Sequence, residues 1–283
     1  IHQFVQSCDI CQRRHGKGIQ VPIHPIPTGQ PFEKIGIDLI GPLSITATRK
    51  RYIIVAIDYL TKWVEAKPIN AKEATKITQF LFEEIITRHG VPKEIISDNG
   101  LEFSNNLMKE FCTKYGIQQR FISPYHPQTN GLVERVNRTL ADTITKISRE
   151  TNKHWDNCIA EALFAIRTNY QSTIQQTPFY LTYGREARLP LDNNFQIEDT
   201  QQFTWENAEY YRTYQLQKEL ISSRKLATQN IQNKQNQYMQ HSNDQIRKST
   251  LFHIGDKVLL RRDYAKNSFS TKLDDKWNGP YYI

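Results

Sequence analysis

The sequence predicts an α/β layered domain, followed by a helical linker and a small all-β module. Three observations carry this reading. Short apolar runs of strand length alternate, after the first three, with amphipathic helical segments between residues 35 and 170, the pattern of a sheet layered against helices. Residues 204–248 then contain no Gly or Pro and are rich in Gln, Asn, Lys and Tyr. The last stretch, 252–283, returns to strand-like runs divided by turns.

Ile35–Ile40 and Tyr52–Leu60 read as strands, and the second (RYIIVAIDYL) is apolar almost throughout, so both of its faces are expected to be buried. Trp63–Ile69 reads as a third strand. Asn70 with Glu73 forms a helix-start signature, and Ala74, Ile77, Leu81 and Ile85 share one helical face before Gly90-Val91-Pro92 ends it. A strand ending at Asp98, a helix over about Asn106–Tyr115 and a strand near Gln119–Ile122 follow. The loop SPYHPQTNG leads to a helix starting near Asn130 whose apolar stripe is Val133, Val136, Leu140, Ile144 and Ile147. Trp155, Ile159, Ala162, Ile166 and Tyr170 mark a second amphipathic helix, and TPFYLTYGREARLP closes the domain. In 204–248 the apolar residues Leu216, Leu220, Leu226 and Ile231 are sparse, which fits a long, mostly exposed helix or helical pair, with partial disorder as the competing reading. The final strands suit a small barrel-like module with Trp277 in its core.

At 283 residues the chain holds one sizeable core and one or two small modules. No run of about 18 apolar residues exists, so no membrane span is expected. The start has no apolar signal segment, and the chain reads as a piece of a longer polypeptide or a processed product. Cys112 and Cys158 fall on helical patterns as buried thiols, with no disulfide framework, as in a reducing compartment. The net charge of +8 sits mainly on the flanks: three basic and one acidic residue over 1–30, thirteen and eight over 200–283. Basic flanks around a nearly neutral middle point to a polyanionic partner, against ordinary solvated charge.

Asp38 interrupts the apolar run KIGIDLI before Gly41-Pro42, and Asp98 closes the run EIIS before Asn99-Gly100. Glu134 lies one turn into its helix, beside the apolar stripe. Two strand-borne aspartates and a helix-borne glutamate can converge as hard oxygen ligands, a set suited to two Mg²⁺ (or Mn²⁺) ions roughly 3.5–4 Å apart that activate the attacking oxygen and stabilise the leaving one in phosphodiester displacement. Without metal the carboxylates would repel one another and raise at least one pKa. Asp58 reads as a structural or turn residue, Glu102 as a supporting or surface one, and His126 either as a substrate contact or as plain loop. Asn137-Arg-Thr matches a glycosylation triplet by chance. Arg135, Arg138 and Lys146 point outward, as DNA phosphate contacts or as solvated charge. Cys8-x-x-Cys11 is half of a zinc pattern; His15 and His24 are near but do not complete it.

Taken together, IDLIGPL, SDNGLEF and SPYHPQTNGLVERVNRTL resemble the catalytic core of retroviral and Ty3/Gypsy-type retrotransposon integrases. That family carries an Asp-Asp-Glu triad on a ribonuclease H-like fold, with thirty-five residues between its second and third members, the spacing of Asp98 and Glu134. TPFYLTYGREARLP is similar to the segment after this core in Gypsy-type elements, GDKVLLRR to WNGPYYI resembles their SH3-like C-terminal module, and CDICQRR looks like the last two ligands of their His-His-Cys-Cys zinc domain. The family's two zinc-ligand histidines are absent from this chain, so Zn²⁺ would need ligands upstream of it. The resemblance implies a zinc-domain remnant at 1–20, a Pro-rich linker at 21–31, a ribonuclease H-like core (a mixed sheet flanked by helices) at 32–192, a helical linker at 200–248 and a truncated SH3-like module at 249–283. It implies a polynucleotidyl transferase joining element 3′ ends to target DNA, with double-stranded DNA and chromatin as partners, a homo-oligomer, no membrane, and action in the host nucleus after a cytoplasmic particle stage. A catalytically silent, integrase-derived DNA-binding protein is the alternative; a nuclease of the same fold acting on RNA–DNA hybrids is a third reading.

Overall fold

The computed structural model describes residues 8–14, 26–122, 131–190, 192, 205–246, 253–261 and 277–283. Two compact units divide the chain, His24–Tyr238 and Ile1–Ile23 with Met239–Ile283.

In the larger unit the apolar runs become strands: β1 (Lys34–Ile40), β2 (Tyr52–Asp58) and β3 (Val64–Ile69) form an antiparallel meander. β4 (Glu94–Ser97) and β5 (Gln118–Phe121) add in parallel on the other side of β1, giving the order β3-β2-β1-β4-β5. The parallel steps need helical crossovers. The first is α2 (Ala74–Phe80), continued by a π-helical turn (Leu81–Ile86) and a last turn (Thr87–His89); the second is α3 (Asn106–Tyr115), capped by Asn105 accepting from Met108 N and closed by left-handed Gly116. α2 starts at Ala74 with no side-chain cap, three residues later than a cap at Asn70 would require. The cause is the sheet: Ile69 still pairs with Tyr52 and accepts from Arg51 N, so the chain cannot turn at Asn70.

Alternation along β2 builds two cores, as expected for a strand apolar on both faces. Ile54 and Ala56 pack with Ile35, Ile37 and the α2 and α3 residues Ile77, Leu81, Ile85 and Met108. Ile53, Val55 and Ile57 face the other way, onto Val133, Val136, Leu140 and Ile144 of α4 (Gly131–Thr151) and onto Ile159, Ala162 and Ile166. The last three lie on α5 (Ile159–Thr168), which is entered through a 3₁₀ turn, Trp155–Cys158; Tyr170 falls beyond it and is exposed. Full burial of each such aliphatic side chain contributes about 1.5–3 kcal/mol, which fixes α4 against β1 and β2.

Asp58 closes β2 in a buried turn, accepting from Phe32 N, Thr61 N and Thr61 Oγ1 at 2.7–2.9 Å, the structural role read from its position. Beside it Lys62 is 4% exposed, and burial drives its pKa from 10.5 down to about 8 despite the Asp58 charge. A base with a depressed folded pKa destabilises the fold while it is protonated in both states. The cost is therefore full below pH 8 and lost as pH rises to 10.5. At one pKa unit per 1.36 kcal/mol that cost is about 3 kcal/mol at most. Lys62→Met is expected to be more stable than the parent at pH 7 and to lose this advantage between pH 8 and 10.5, read from urea unfolding across that range; a constant difference would refute it.

α6 (Pro178–Tyr183), capped by Thr177, precedes α7 (Trp205–Tyr214), a π-helical turn (Gln215–Glu219) and α8 (Leu220–Ile246). From Trp205 to Ile246 the stretch is thus helical, but within the larger unit it is anchored. Leu220, Ala227 and Ile231 bury against Leu60, Ile174 and Leu181. Arg212 and Arg224 donate to the Tyr183, Gly184, Leu181 and Thr182 carbonyls at 2.8–3.1 Å, satisfying the open end of α6. Leu216 and Leu226 remain exposed.

In the smaller unit α1 (Asp9–Arg14) packs against β7 (Trp277–Tyr282), which pairs antiparallel with β6 (Lys257–Arg261). Trp277 is half-buried in β7. Residues 262–276 of the expected β module lie outside the described residues.

Candidate active site

β1 and β4 bring the two aspartates together. Their parallel register pairs Ile35 with Ile95 and Gly36 with Ile96; two positions further on, the same register sets Asp38 level with Asp98 at the C-terminal ends of adjacent strands. Asp98 caps its own turn, Oδ1 accepting from Gly100 N at 3.0 Å, and Asp38 Oδ1 accepts from Leu39 N at 2.8 Å.

α4 supplies the third acid. Gly36 and Asp38 lie on the same face of β1, the one α4 covers. A Cβ at Gly36 would stand 2.7 Å from Val133 Cγ2, 3.1 Å from Tyr59 Cε2 and 3.3 Å from Ile57 Cγ2. The missing side chain is what lets the first turn of α4 seat on β1. Glu134 follows Val133, and one turn on, Asn137 Nδ2 donates to Asp38 Oδ2 at 2.8 Å.

Asp38 records the convergence. Its pKa is raised, first by burial and then by the charges of Asp98 and Glu134, against the hydrogen bonds from Leu39 and Asn137. The expected mutual repulsion of the three carboxylates is present. They do not form a closed cage: among the described residues no three His, Cys, Asp or Glu side chains stand close enough to hold one ion. Glu134 is exposed. The donor set nevertheless fits a hard divalent cation, being all carboxylate oxygen with one member already short of compensating positive charge.

Other expected residues fall elsewhere. Arg135, Arg138 and Lys146 are exposed along α4, Arg135 Nε donating to Gly131 O at 2.7 Å. Cys8 and Cys11 sit at the start of α1 as free thiols. The Cys11 backbone and then its side chain hold the Cys8 thiol below its usual value, while the bond from Cys8 raises Cys11. No third or fourth zinc ligand joins them among the described residues; His15, His24 and the loop with His126 lie outside those residues.

Asn137 was missed by sequence reasoning. Its triplet drew notice only as a chance glycosylation match, yet its place three residues after Glu134 puts it on the same helical face. Glu102, read as supporting, leans back toward Asp98: a Cβ at Gly100 would lie 2.7 Å from Glu102 Oε2 and 3.0 Å from Asp98 Oδ1.

Comparison with known proteins identifies the family. Two family models, each described as integrase core domain, match residues 29–127 and 115–170. The chain is 29% identical over 252 residues to the retrovirus-related Pol polyprotein from transposon 412 of Drosophila melanogaster, covering 89% of this chain and 20% of the relative. It is 31% identical over 235 residues to the Gag-Pol polyprotein of Feline leukemia virus, covering 82% and 13%. The chain thus spans a fifth or less of the length of these two relatives. A chain in the cryo-EM structure of the simian T-cell lymphotropic virus intasome in complex with PP2A regulatory subunit B56 gamma superposes with a TM-score of 0.53 at 24% identity, covering 67% of each chain; it shares the fold, a ribonuclease H-like mixed sheet flanked by helices. With the matched span running through β1, β4 and α4, the elements that carry Asp38, Asp98 and Glu134, the chain belongs to the integrase core domain family of the retrovirus and retrotransposon type.

Proposed function

We propose that this chain is the polynucleotidyl transferase that its family suggests, acting on the ends of element DNA and joining their 3′ hydroxyls to target DNA in the nucleus. The observation that carries the reading is the parallel register that sets Asp38 level with Asp98 at the ends of β1 and β4, with Asn137 of α4 donating to Asp38 Oδ2 three residues after Glu134. Asp38 and Asp98 offer carboxylates at the ends of neighbouring strands, Glu134 offers a third from the exposed face of the first turn of α4, and Asn137 orients Asp38 through Oδ2. Bound Mg²⁺ or Mn²⁺ would polarise the phosphodiester and lower the pKa of the attacking oxygen. No side-chain nucleophile is required of the protein. Arg135, Arg138 and Lys146 present exposed positive charge for duplex phosphates, and a second copy of the chain would let two DNA ends be held together.

The test is strand transfer with the full chain, Mg²⁺ and a short duplex carrying an element end. The parent is expected to be active and to lose activity in EDTA. Asp98→Asn should retain the fold by circular dichroism and duplex binding, while strand transfer disappears. Duplex binding by the parent with no metal-dependent transfer would instead establish the silent DNA-binding reading.

A further inference from the structure

We propose that Lys72 is a phosphate-contacting residue at the rim of this site, and that Glu102 holds it as counter-ion until DNA arrives; the inference rests on the reading above. The C-terminal ends of β1, β3 and β4 and the start of β2 meet at one end of the sheet. Lys72 stands there because β3 pairs as far as Ile69 and α2 begins only at Ala74. Its ammonium lies 3.4 Å from Glu102 Oε1 and 5.5 Å from the centre of the Tyr52 ring. Glu102 in turn folds over Gly100 toward Asp98. A cation from one loop is thus tied to the loop that carries a candidate metal ligand.

The form of the contact is what points to exchange. Two other lysines of this unit make tighter pairs, Lys67 with Glu83 at 2.5 Å and Lys93 with Glu33 at 2.6 Å, and the equally long pair of Lys34 with Glu94, at 3.5 Å, is largely shielded from solvent. The Lys72 pair is long and one-pointed, and 40% of the Lys72 side chain is open to solvent, whereas Glu102 is 17% exposed. A phosphate oxygen is a better partner than a carboxylate held at that distance, and an exposed lysine can swing to it at little loss. Asp38, Asp98, Glu134 and Glu102 gather negative charge around the site, and Lys72 adds to the positive charge of the exposed Arg51 at this end of the sheet, which a phosphodiester needs beside any metal. Glu102 is then both the brake and the holder: it keeps Lys72 at the rim and competes with DNA for it.

Binding of a short blunt-ended duplex to the full chain, in EDTA and across a salt series, separates the outcomes. Lys72→Gln should weaken binding and lower the salt slope by about 0.9, the value of one phosphate contact. Lys72→Arg should keep the parent slope. Glu102→Gln, which frees the ammonium, should bind more tightly than the parent with the slope retained. An unchanged slope in a folded Lys72→Gln, or a Glu102→Gln that binds as weakly as Lys72→Gln, overturns the assignment; if Lys72→Gln fails to fold, a Lys72→Arg that loses slope does so instead. A parent that binds no duplex, or binds with no salt dependence, would remove the functional reading itself rather than this residue.

Discussion

Asp38→Asn is expected to abolish metal-dependent strand transfer and, in the same protein, to raise stability at neutral pH. The activity loss should be at least about a thousandfold, roughly 4 kcal/mol of transition-state stabilisation, since a carboxylate ligand is exchanged for a neutral amide. The stability gain follows from the raised pKa of Asp38. Its folded value lies above the usual carboxylate value through burial and the charges of Asp98 and Glu134, so the ionised form is disfavoured in the fold, and the penalty is present at pH 7. As pH falls through the folded pKa the parent takes up its proton and recovers that stability, and the gap to the variant closes. The substitution is sterically conservative. Asn137 can turn its amide to present Oδ1, an atom with no hydrogen-bond partner among the described residues, to the new side chain. Thermal unfolding between neutral and acid pH, beside strand transfer, reads both effects. An active variant, or a stability gap that widens on acidification, would remove Asp38 from the site.

β1 and β4 were legible because each is an apolar run ended by Gly, Pro or Asn, and two of the acids were legible because an Asp at the end of such a run is conspicuous. What joins them was not. The parallel pairing of β1 with β4 follows from a crossover through α2, not from the spelling of either strand. Glu134 stood out by its place one turn into its helix beside the apolar stripe, and its separation from Asp98 then matched the family pattern. Gly36 looks like any strand glycine until Val133 is placed against it, and Asn137 like any surface amide until Asp38 is beneath it. The arginines of the linker show the same limit from the other side. Nothing in the sequence marks Arg212 and Arg224, yet they close the carbonyl end of α6, because a helix end needs donors and these were the ones in reach. The missed Asn70 cap is the converse case, a local signature overruled by a strand pair one residue before it.

Gly36→Ala tests whether the site is held by packing as well as by charge. The strand leaves room for no methyl at this position: Val133, Ile57 and Tyr59 are at most 3% exposed and none can swing into solvent. The new Cβ, 2.7 Å from Val133 Cγ2, must push the first turn of α4 outward by several tenths of an ångström. Overpacking of this kind costs about 1–3 kcal/mol. The functional loss should exceed that share, because Glu134 and Asn137 ride on the displaced turn, and a shift of about 1 Å at a reacting centre costs on the order of a hundredfold. Val133→Ala in the same chain removes the clashing methyl. The double variant should therefore be more active than Gly36→Ala and more stable than the two single effects predict, although Val133→Ala alone leaves a small cavity. Urea unfolding and strand transfer on the parent, both single variants and the double variant complete the cycle. Additive effects would mean that Gly36 and Val133 do not meet, and the seat of α4, with the acid it carries, would have to be sought elsewhere on the sheet.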